Sequence, residues 1–265
     1  MELGRISALF RYPVKSMAGE LLDAARLGWH GLEGDRRWAL RRLNDKSAFP
    51  WLSASKMPEL LLYKPFRLDS NSAELLPTHV RTPDGEEYEL SSDELPKEIS
   101  RRYGSDLELM NLKHGIFDEA SISVISLGTV QGIARASNRN LDLRRFRPNV
   151  VLETNIAEPF EEDDWVGRTL TFGMFGEGNS AAAVRITMKD ERCVMVNFDP
   201  DTVARDSEVM KTVVRLNQNH AGVYGHRDQA GRASCRSNRD HRRPGDKHYR
   251  CGSRALENFN NLPTH

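Results

Sequence analysis

Within the first 225 residues the sequence holds one thiol, Cys193, in the run Met188-Lys-Asp-Glu-Arg-Cys-Val-Met-Val-Asn-Phe-Asp-Pro-Asp-Thr202, between a strand-like stretch and a turn. Thiolate is a soft ligand that suits soft or redox-active metal centres, and a cation such as Arg192 beside it favours the ionised form. Isolated cysteines also pack as small hydrophobes, so this thiol gains meaning only from its company. Three polar clusters supply it: Tyr12-Pro-Val-Lys-Ser16, Gly34-Asp-Arg-Arg-Trp38 and Arg144-Arg-Phe-Arg-Pro-Asn149. Each falls at a strand edge or turn, from which an ammonium or a guanidinium fork can meet a phosphate. Taken singly, Lys15 reads as a solvated loop lysine, and Arg36 and Arg37 as surface partners of Asp35 or Glu33. Arg145 and Arg147 flank Phe146, a spacing in which strand alternation buries the phenyl ring and turns both cations to the opposite face.

The elements that must position these groups are mostly strands. Ile6, Ala8, Phe10 and Tyr12 recur with period two until Pro13 interrupts them, which predicts a strand entering a loop. Leu21–Leu27 reads as a second strand, Gly28, Gly31 and Gly34 mark a turn, and Arg37–Leu43 alternates again. Pro58–Tyr63 reads as a short strand, and Val80–Leu90 folds into a hairpin around Pro83-Asp84-Gly85. Helices are predicted from the Ser92 cluster to Tyr103, ended by Gly104, over Gly128–Ala136, and over Ser207–Leu216. Leu107–Leu112, Ser121–Ser126, Thr169–Phe172 and Ala183–Met188 complete the strands, and Leu141–Glu153 is a loop feeding a buried one. Helices do not alternate regularly with strands, so the fold class is α+β, β-rich, with antiparallel or mixed sheets.

Composition excludes several functions. Apolar residues make up 38% and charged residues 29%, as in globular proteins, and no apolar stretch reaches the length of a transmembrane helix. The N-terminus runs directly into strand pattern, and three cysteines give no disulfide framework, so a cytoplasmic location is expected. Formal net charge is zero, yet residues 226–265 carry nine Lys/Arg against four Asp/Glu, leaving 29 against 34 before them. A body without a basic excess predicts no nucleic-acid partner. Gly-rich dinucleotide turns, phosphate-binding Gly-Lys-Ser/Thr loops, His-Glu-x-x-His and paired Cys-x-x-Cys motifs are all missing from the sequence.

In order along the chain, Tyr-Pro-Val-Lys-Ser at 12–16, Gly-Asp-Arg-Arg-Trp-Ala-Leu at 34–40, Arg-Phe-Arg-Pro-Asn at 145–149, Phe-Glu-Glu-Asp-Asp-Trp at 160–165, and Arg-Cys with Asp-Pro-Asp-Thr at 192–202 resemble the MOSC family. This is the family of molybdenum cofactor sulfurase C-terminal domains, many preceded by an N-terminal β-barrel module. Over about residues 1–225 the sequence is similar to the mitochondrial amidoxime-reducing component and its bacterial relatives. The resemblance implies a barrel-like N-terminal module over 1–104, a MOSC β-barrel domain over 105–225, and an atypical tail over 226–265. It implies a molybdenum cofactor, Mo-molybdopterin, with Cys193 as the metal-binding thiolate and catalytic residue. Lys15, Ser16 and Arg36 then match residues that hold the pterin and its phosphate, and Ser126, Thr129, Arg147 and Asn149 match further cofactor contacts. Ser126 and Thr129 also sit where hydroxyls cap a helix.

The implied activity is an oxidoreductase acting on N-hydroxylated or similar small-molecule substrates. Electrons would come from a separate donor protein of reductase, ferredoxin or cytochrome b5 type, since no cluster-binding ferredoxin-like domain is present. Two alternatives follow from the same residues: a sulfur or cofactor carrier using a Cys193 persulfide, and an inactive product with a disrupted C-terminal barrel. The acidic run Glu161–Asp164 reads as a solvated loop, and Asp199 and Asp201 as turn residues. His114 and His220 are the histidines that could face the cofactor. The sequence departs from the family at Asp190, where a small residue or second cysteine is common, and at Val203, where glycine often follows Asp-Pro-Asp-Thr.

After Gly225 the chain becomes Arg-rich, apolar-poor and aperiodic, where relatives continue with closing strands and a Gly-Asp turn. A shifted reading frame explains this, and a basic disordered tail is the plainer reading. Translation of the gene in its other two frames beyond Gly225 is expected to yield an alternating apolar stretch with a Gly-Asp turn; two frames without one would contradict the shift.

Overall fold

The computed structural model describes residues 2–68, 76–172, 181–229, 231–234 and 249–253. In chain order the strands of the N-terminal part are β1 (Glu2–Arg11), β2 (Glu20–Leu22), β3 (Ala24–Gly28), β4 (Gly31–Leu32), β5 (Trp38–Arg42), β6 (Lys64–Phe66), β7 (His79–Arg81) and β8 (Glu87–Glu89). Helix α1 (Glu94–Tyr103) and β9 (Leu107–Asn111) follow, then β10 (Ile122–Ser126), α2 (Leu127–Ser137), β11 (Val150–Thr154), β12 (Thr169–Phe172) and β13 (Ala183–Glu191). Helix α3 (Ser207–Asn217), β14 (His220–Gln229), β15 (Gly231–Ser234) and β16 (Tyr249–Ser253) complete the order. The architecture is the β-rich α+β class expected.

One large sheet runs β11-β10-β14-β13-β12-β16-β1-β2, and antiparallel pairing of β1 with β11 closes it on itself. Three small sheets, β15-β3-β4, β5-β9 and β6-β7-β8, surround it. Of the segment read as an atypical tail, β14 continues through Gly225 to Gln229, β15 pairs with β3, and β16 fills the gap between β12 and β1, parallel to both. The edge expected from a missing closing strand is therefore covered; residues 235–248 and 254–265 lie outside the described residues.

Period two in β1 does not keep one face. The register shifts between Ile6, opposite Leu152, and Ala8, opposite Val151, so Ser7 forms a bulge. Ile6 consequently joins Leu3 and Leu9 inside the barrel with Val124, Leu152, Leu170 and Val184. Ala8, Phe10 and Tyr12 face the other way, into a core with Ile133 of α2 and Val209 and Val213 of α3. Just past β1, Val14 and Met17 enter a third core with Leu40, Leu60, Tyr63 and Leu95. Residues 12–17 are thus the seam between the barrel and the N-terminal part.

Two further expectations are corrected. Leu21–Leu27 is two strands, broken at Asp23, because β2 pairs with β1 while β3 pairs with β4 and β15. Pro58–Leu62 is a 3-10 turn with proline in its first turn, burying Leu60 and Leu61. A short apolar run does not distinguish strand from helix, and proline at the start favours the latter.

Gly222 leaves no room for a side chain. It lies on β14 at φ +84, and a Cβ there would sit 2.7 Å from the Val124 carbonyl oxygen and 2.9 Å from a guanidinium nitrogen of Arg192. Gly222→Ala is expected to lower unfolding free energy by about 2–3 kcal/mol, combining left-handed strain with the clash. Denaturant melts checking this would contradict it if the two proteins agreed within about 0.5 kcal/mol.

Candidate functional site

The seam residues are fixed by a buried carboxylate. Asp35 has no exposed surface; one oxygen accepts the Tyr12 backbone N–H at 2.7 Å, and the other the Arg36 guanidinium. Backbone bonds from Arg36 N–H to Tyr12 O (2.7 Å), Trp38 N–H to Pro13 O (3.1 Å) and Lys15 N–H to Trp38 O (2.8 Å) lace residues 12–15 to residues 36–38. Both loops carry a left-handed residue, Ser16 at φ 68 and Arg36 at φ 49. Ser16 is buried beside Lys15 in sequence.

The Tyr12 ring is a platform between two cations, with the guanidinium carbon of Arg147 4.2 Å and that of Arg36 5.0 Å from its centroid. Arg147 donates to the Met17 carbonyl at 2.8 Å, while its second terminal nitrogen and the Tyr12 hydroxyl are buried with no hydrogen-bond partner among the described residues. Arg36 reaches the Arg147 carbonyl at 3.3 Å and Asn149 Oδ1 at 3.5 Å. Asn149 also ties β1 to β10, donating to Phe10 O at 3.3 Å and accepting the Ser123 N–H at 3.1 Å. Lys15 is buried, pairs with Asp118 at 2.7 Å and lies 5.2 Å from the Phe49 ring centre.

Charge states follow from these surroundings. Burial pushes the Tyr12 phenol up to about 12, against the pull of Arg147 and Arg36. Burial lowers Lys15, more than Asp118 restores. Arg147 is brought down to about 10, again by burial, with Tyr12 opposing. For Arg36 burial works against the charge, but Asp35 outweighs it and holds the guanidinium above its ordinary range. A buried cation with an unfilled donor is a receptor for an anion, because an unpaired buried charge costs several kcal/mol of order of magnitude.

Arg192 and Cys193 lie on a separate segment that meets the Arg144–Asn149 loop. Arg192 donates to Ala221 O at 2.6 Å and Phe146 O at 2.7 Å and pairs with Asp190 at 2.8 Å, so three segments converge on one guanidinium. Cys193 is exposed and begins the 3-10 turn Val194–Asn197. Arg145 donates to Val196 O at 3.4 Å and pairs with Asp199 at 3.1 Å, fastening that turn to the Arg144–Asn149 loop. Arg192 is therefore engaged inward and does not serve as the free cation expected beside the thiolate. Val203, in the position where relatives often have glycine, sits at φ 54, a costly conformation for a β-branched residue. Its N–H closes the Asp199 turn at 2.9 Å.

Lys15, Ser16, Arg36, Arg147 and Asn149 are brought to one seam, and Cys193 follows Arg192, which bonds the carbonyl of Phe146 beside Arg147. Ser126 and Thr129 are not free to join them. Ser126 caps α2 by accepting the Thr129 N–H at 3.0 Å, and both hydroxyls donate to Glu162 at 2.8 Å. Glu162 is fully buried, so the acidic run is not simply solvated. The Arg145 and Arg147 side chains have different partners rather than sharing the face that strand alternation would give them, because in this loop residues 143–146 form a 3-10 turn followed by left-handed Arg147 at φ 48. His114 Nδ1 meets His30 Nε2 at 2.9 Å on an exposed surface, and His220 lies 3.3 Å from Asn217 O. Asp118 is the partner that sequence reasoning missed, while Asp35 was read only as a surface partner of Arg36 and Asp190 only as a departure from the family. The buried cations would have signalled them only once burial was known. A cavity of about 250 Å³ opens beside the seam, lined by Tyr12, Gly19, Leu61, Lys64, Arg147 and Pro200, with Cys193 outside its lining.

Asp190 gives a pH test. Burial pushes its carboxyl up to about 6, although Arg192 and the Ser123 hydroxyl at 2.9 Å favour the anion. The folded state thus binds the proton more tightly than the unfolded chain, and ionisation weakens the fold as pH rises. Relative to Asp190→Asn, the wild-type chain is expected to lose roughly 1–3 kcal/mol of stability between about pH 4 and 6. A relative gain over that interval would mean that the Arg192 pair dominates.

The sequence matches the MOSC domain family model over residues 111–245 and the MOSC N-terminal beta barrel domain model over residues 3–106. No curated protein matches it. A solved structure, the YUAD protein from Bacillus subtilis, is 13% identical with a TM-score of 0.44, over 87% of this chain and 90% of that one. Matched in succession by both models, this chain belongs to the MOSC family, with an N-terminal β-barrel module ahead of the MOSC domain.

Proposed function

We propose that this chain binds the molybdenum cofactor, Mo-molybdopterin, with Cys193 as the protein ligand to the metal, and acts as an oxidoreductase on N-hydroxylated or similar small substrates. The observation that carries this reading is the buried Arg147 nitrogen with no hydrogen-bond partner among the described residues, on a seam shared with Lys15 and Arg36; the exposed Cys193 follows Arg192, which bonds the carbonyl of Phe146 next to Arg147. A phosphate-bearing ligand with a soft metal at its far end matches that division between hard donors and thiolate. Among the described residues no group of three or more His, Cys, Asp or Glu side chains could hold a metal ion.

When bound, the cofactor supplies the two-electron redox chemistry. The chain's own residues do the rest. Lys15, Arg36 and Arg147 neutralise the phosphate, and Tyr12 fixes the orientation of two of those cations. Asp35 holds Arg36 charged, and Arg192 anchors the start of the turn that presents the thiol. Electrons come from a separate donor protein. No helix among the described residues is long and apolar enough to cross a membrane.

A carrier role is the second reading, favoured by one observation: Cys193 is exposed, as a persulfide handed to another enzyme must be. Molybdenum and pterin content per chain separate the two. Protein from a cofactor-competent host is expected to hold near-stoichiometric amounts of both, with metal lost or weakly held in Cys193→Ala. Metal-free and pterin-free protein in both cases would end the oxidoreductase reading, and a persulfide on Cys193 without metal would establish the carrier.

A further inference from the structure

Lys15 is covered by two side chains that are themselves in solvent. Its side chain is 4% exposed, whereas its partner Asp118 is 62% exposed and Phe49, beneath the ammonium, 42%. An ammonium buried in this way needs a counter-charge, and the only carboxylate paired with it among the described residues comes from a surface loop. That carboxylate also lies in the field of Arg36 and Arg147. It therefore stands where an incoming anion would be most favoured.

The loop is built so that Asp118 can leave without dismantling the seam. Ile116 N–H is bonded to Arg36 O at 2.9 Å, and His114 contacts His30 at 2.9 Å, so the loop is held before Asp118. Gly115, at φ +73, makes the bend, where a Cβ would strike the Phe117 ring at 2.7 Å. Asp118 and Glu119 are both exposed beyond that anchor. Exchange of a solvent-facing carboxylate for another anion leaves Lys15 paired throughout, which avoids an uncompensated buried charge.

We propose that Asp118 is a displaceable counter-anion: it occupies Lys15 in the ligand-free chain and competes with the anionic group of the ligand, an autoinhibitory contact carried by the loop 112–120. The inference rests on the reading that Lys15 receives a phosphate. Its consequence is selectivity as well as protection. A weakly charged anion does not dislodge the carboxylate, whereas a phosphate monoester, which also engages Arg36 and Arg147, does.

Calorimetric titration of the cofactor-free full chain with inorganic phosphate tests this in four proteins: wild type, Asp118→Asn, Glu119→Gln and Lys15→Met, each first shown to melt cooperatively. Asp118→Asn is expected to bind phosphate about tenfold more tightly than wild type. Glu119→Gln, which removes the same charge one residue away, is expected to stay within about twofold. Lys15→Met should lose the binding, and adding it to Asp118→Asn should erase the gain. Equal tightening by Asp118→Asn and Glu119→Gln would overturn the proposal in favour of a general charge effect. Phosphate binding that depends on Lys15 but does not tighten in Asp118→Asn would overturn it and leave the phosphate-site reading standing. Binding independent of Lys15 in every variant, or no binding even in Asp118→Asn, would overturn both.

Discussion

Asp35 accepts one backbone N–H and one guanidinium, and the geometry of the seam depends on that pair of bonds. A carboxylate without exposed surface is tolerable only when its lone pairs are filled by strong donors. Here the donors belong to two loops, so satisfying the charge also aligns residues 12–17 with residues 33–38. Lys15, Arg36 and the Tyr12 ring take their places from that alignment, and Arg147 takes its place from the ring. Replacing the carboxylate by an apolar group would leave Arg36 buried without its counter-charge and the first loop without its anchor.

A second guanidinium organises the thiol side. Arg192 joins a carbonyl at the end of the Arg144 turn, a carbonyl on β14 and the carboxylate at the end of β13. Cys193 itself is left exposed, whereas its neighbour Arg192 is buried and bonded on three sides.

Much of the scaffold was readable because its signals are local. Gly104 ends α1 in the left-handed conformation, Asp206 caps α3, and Pro83-Asp84-Gly85 turns the β7–β8 hairpin. The losses were non-local. Ser7 bulges because β1 must serve the barrel interior and the helix-facing core in succession, which alternation alone does not reveal. Lys15 reads as solvated until a distant aspartate and an aromatic ring close over it. Glu162 looks like one of four surface acids, yet it is the member that turns inward to receive Ser126 and Thr129. The order of the family motifs was legible, whereas the engagement of the Ser126 and Thr129 hydroxyls by Glu162 was not.

The pairing of β1 has a consequence for how the chain is made. β1 is made well before its long-range partners, since antiparallel β11 begins at Val150 and parallel β16 at Tyr249. Between those events the nascent strand has only β2 beside it, and its apolar side chains must wait for long-range partners. Topologies of this kind fold slowly, since chain closure precedes the contacts that reward it. The cluster of Tyr12, Arg36, Arg147 and Asn149 therefore assembles only after synthesis has passed β11.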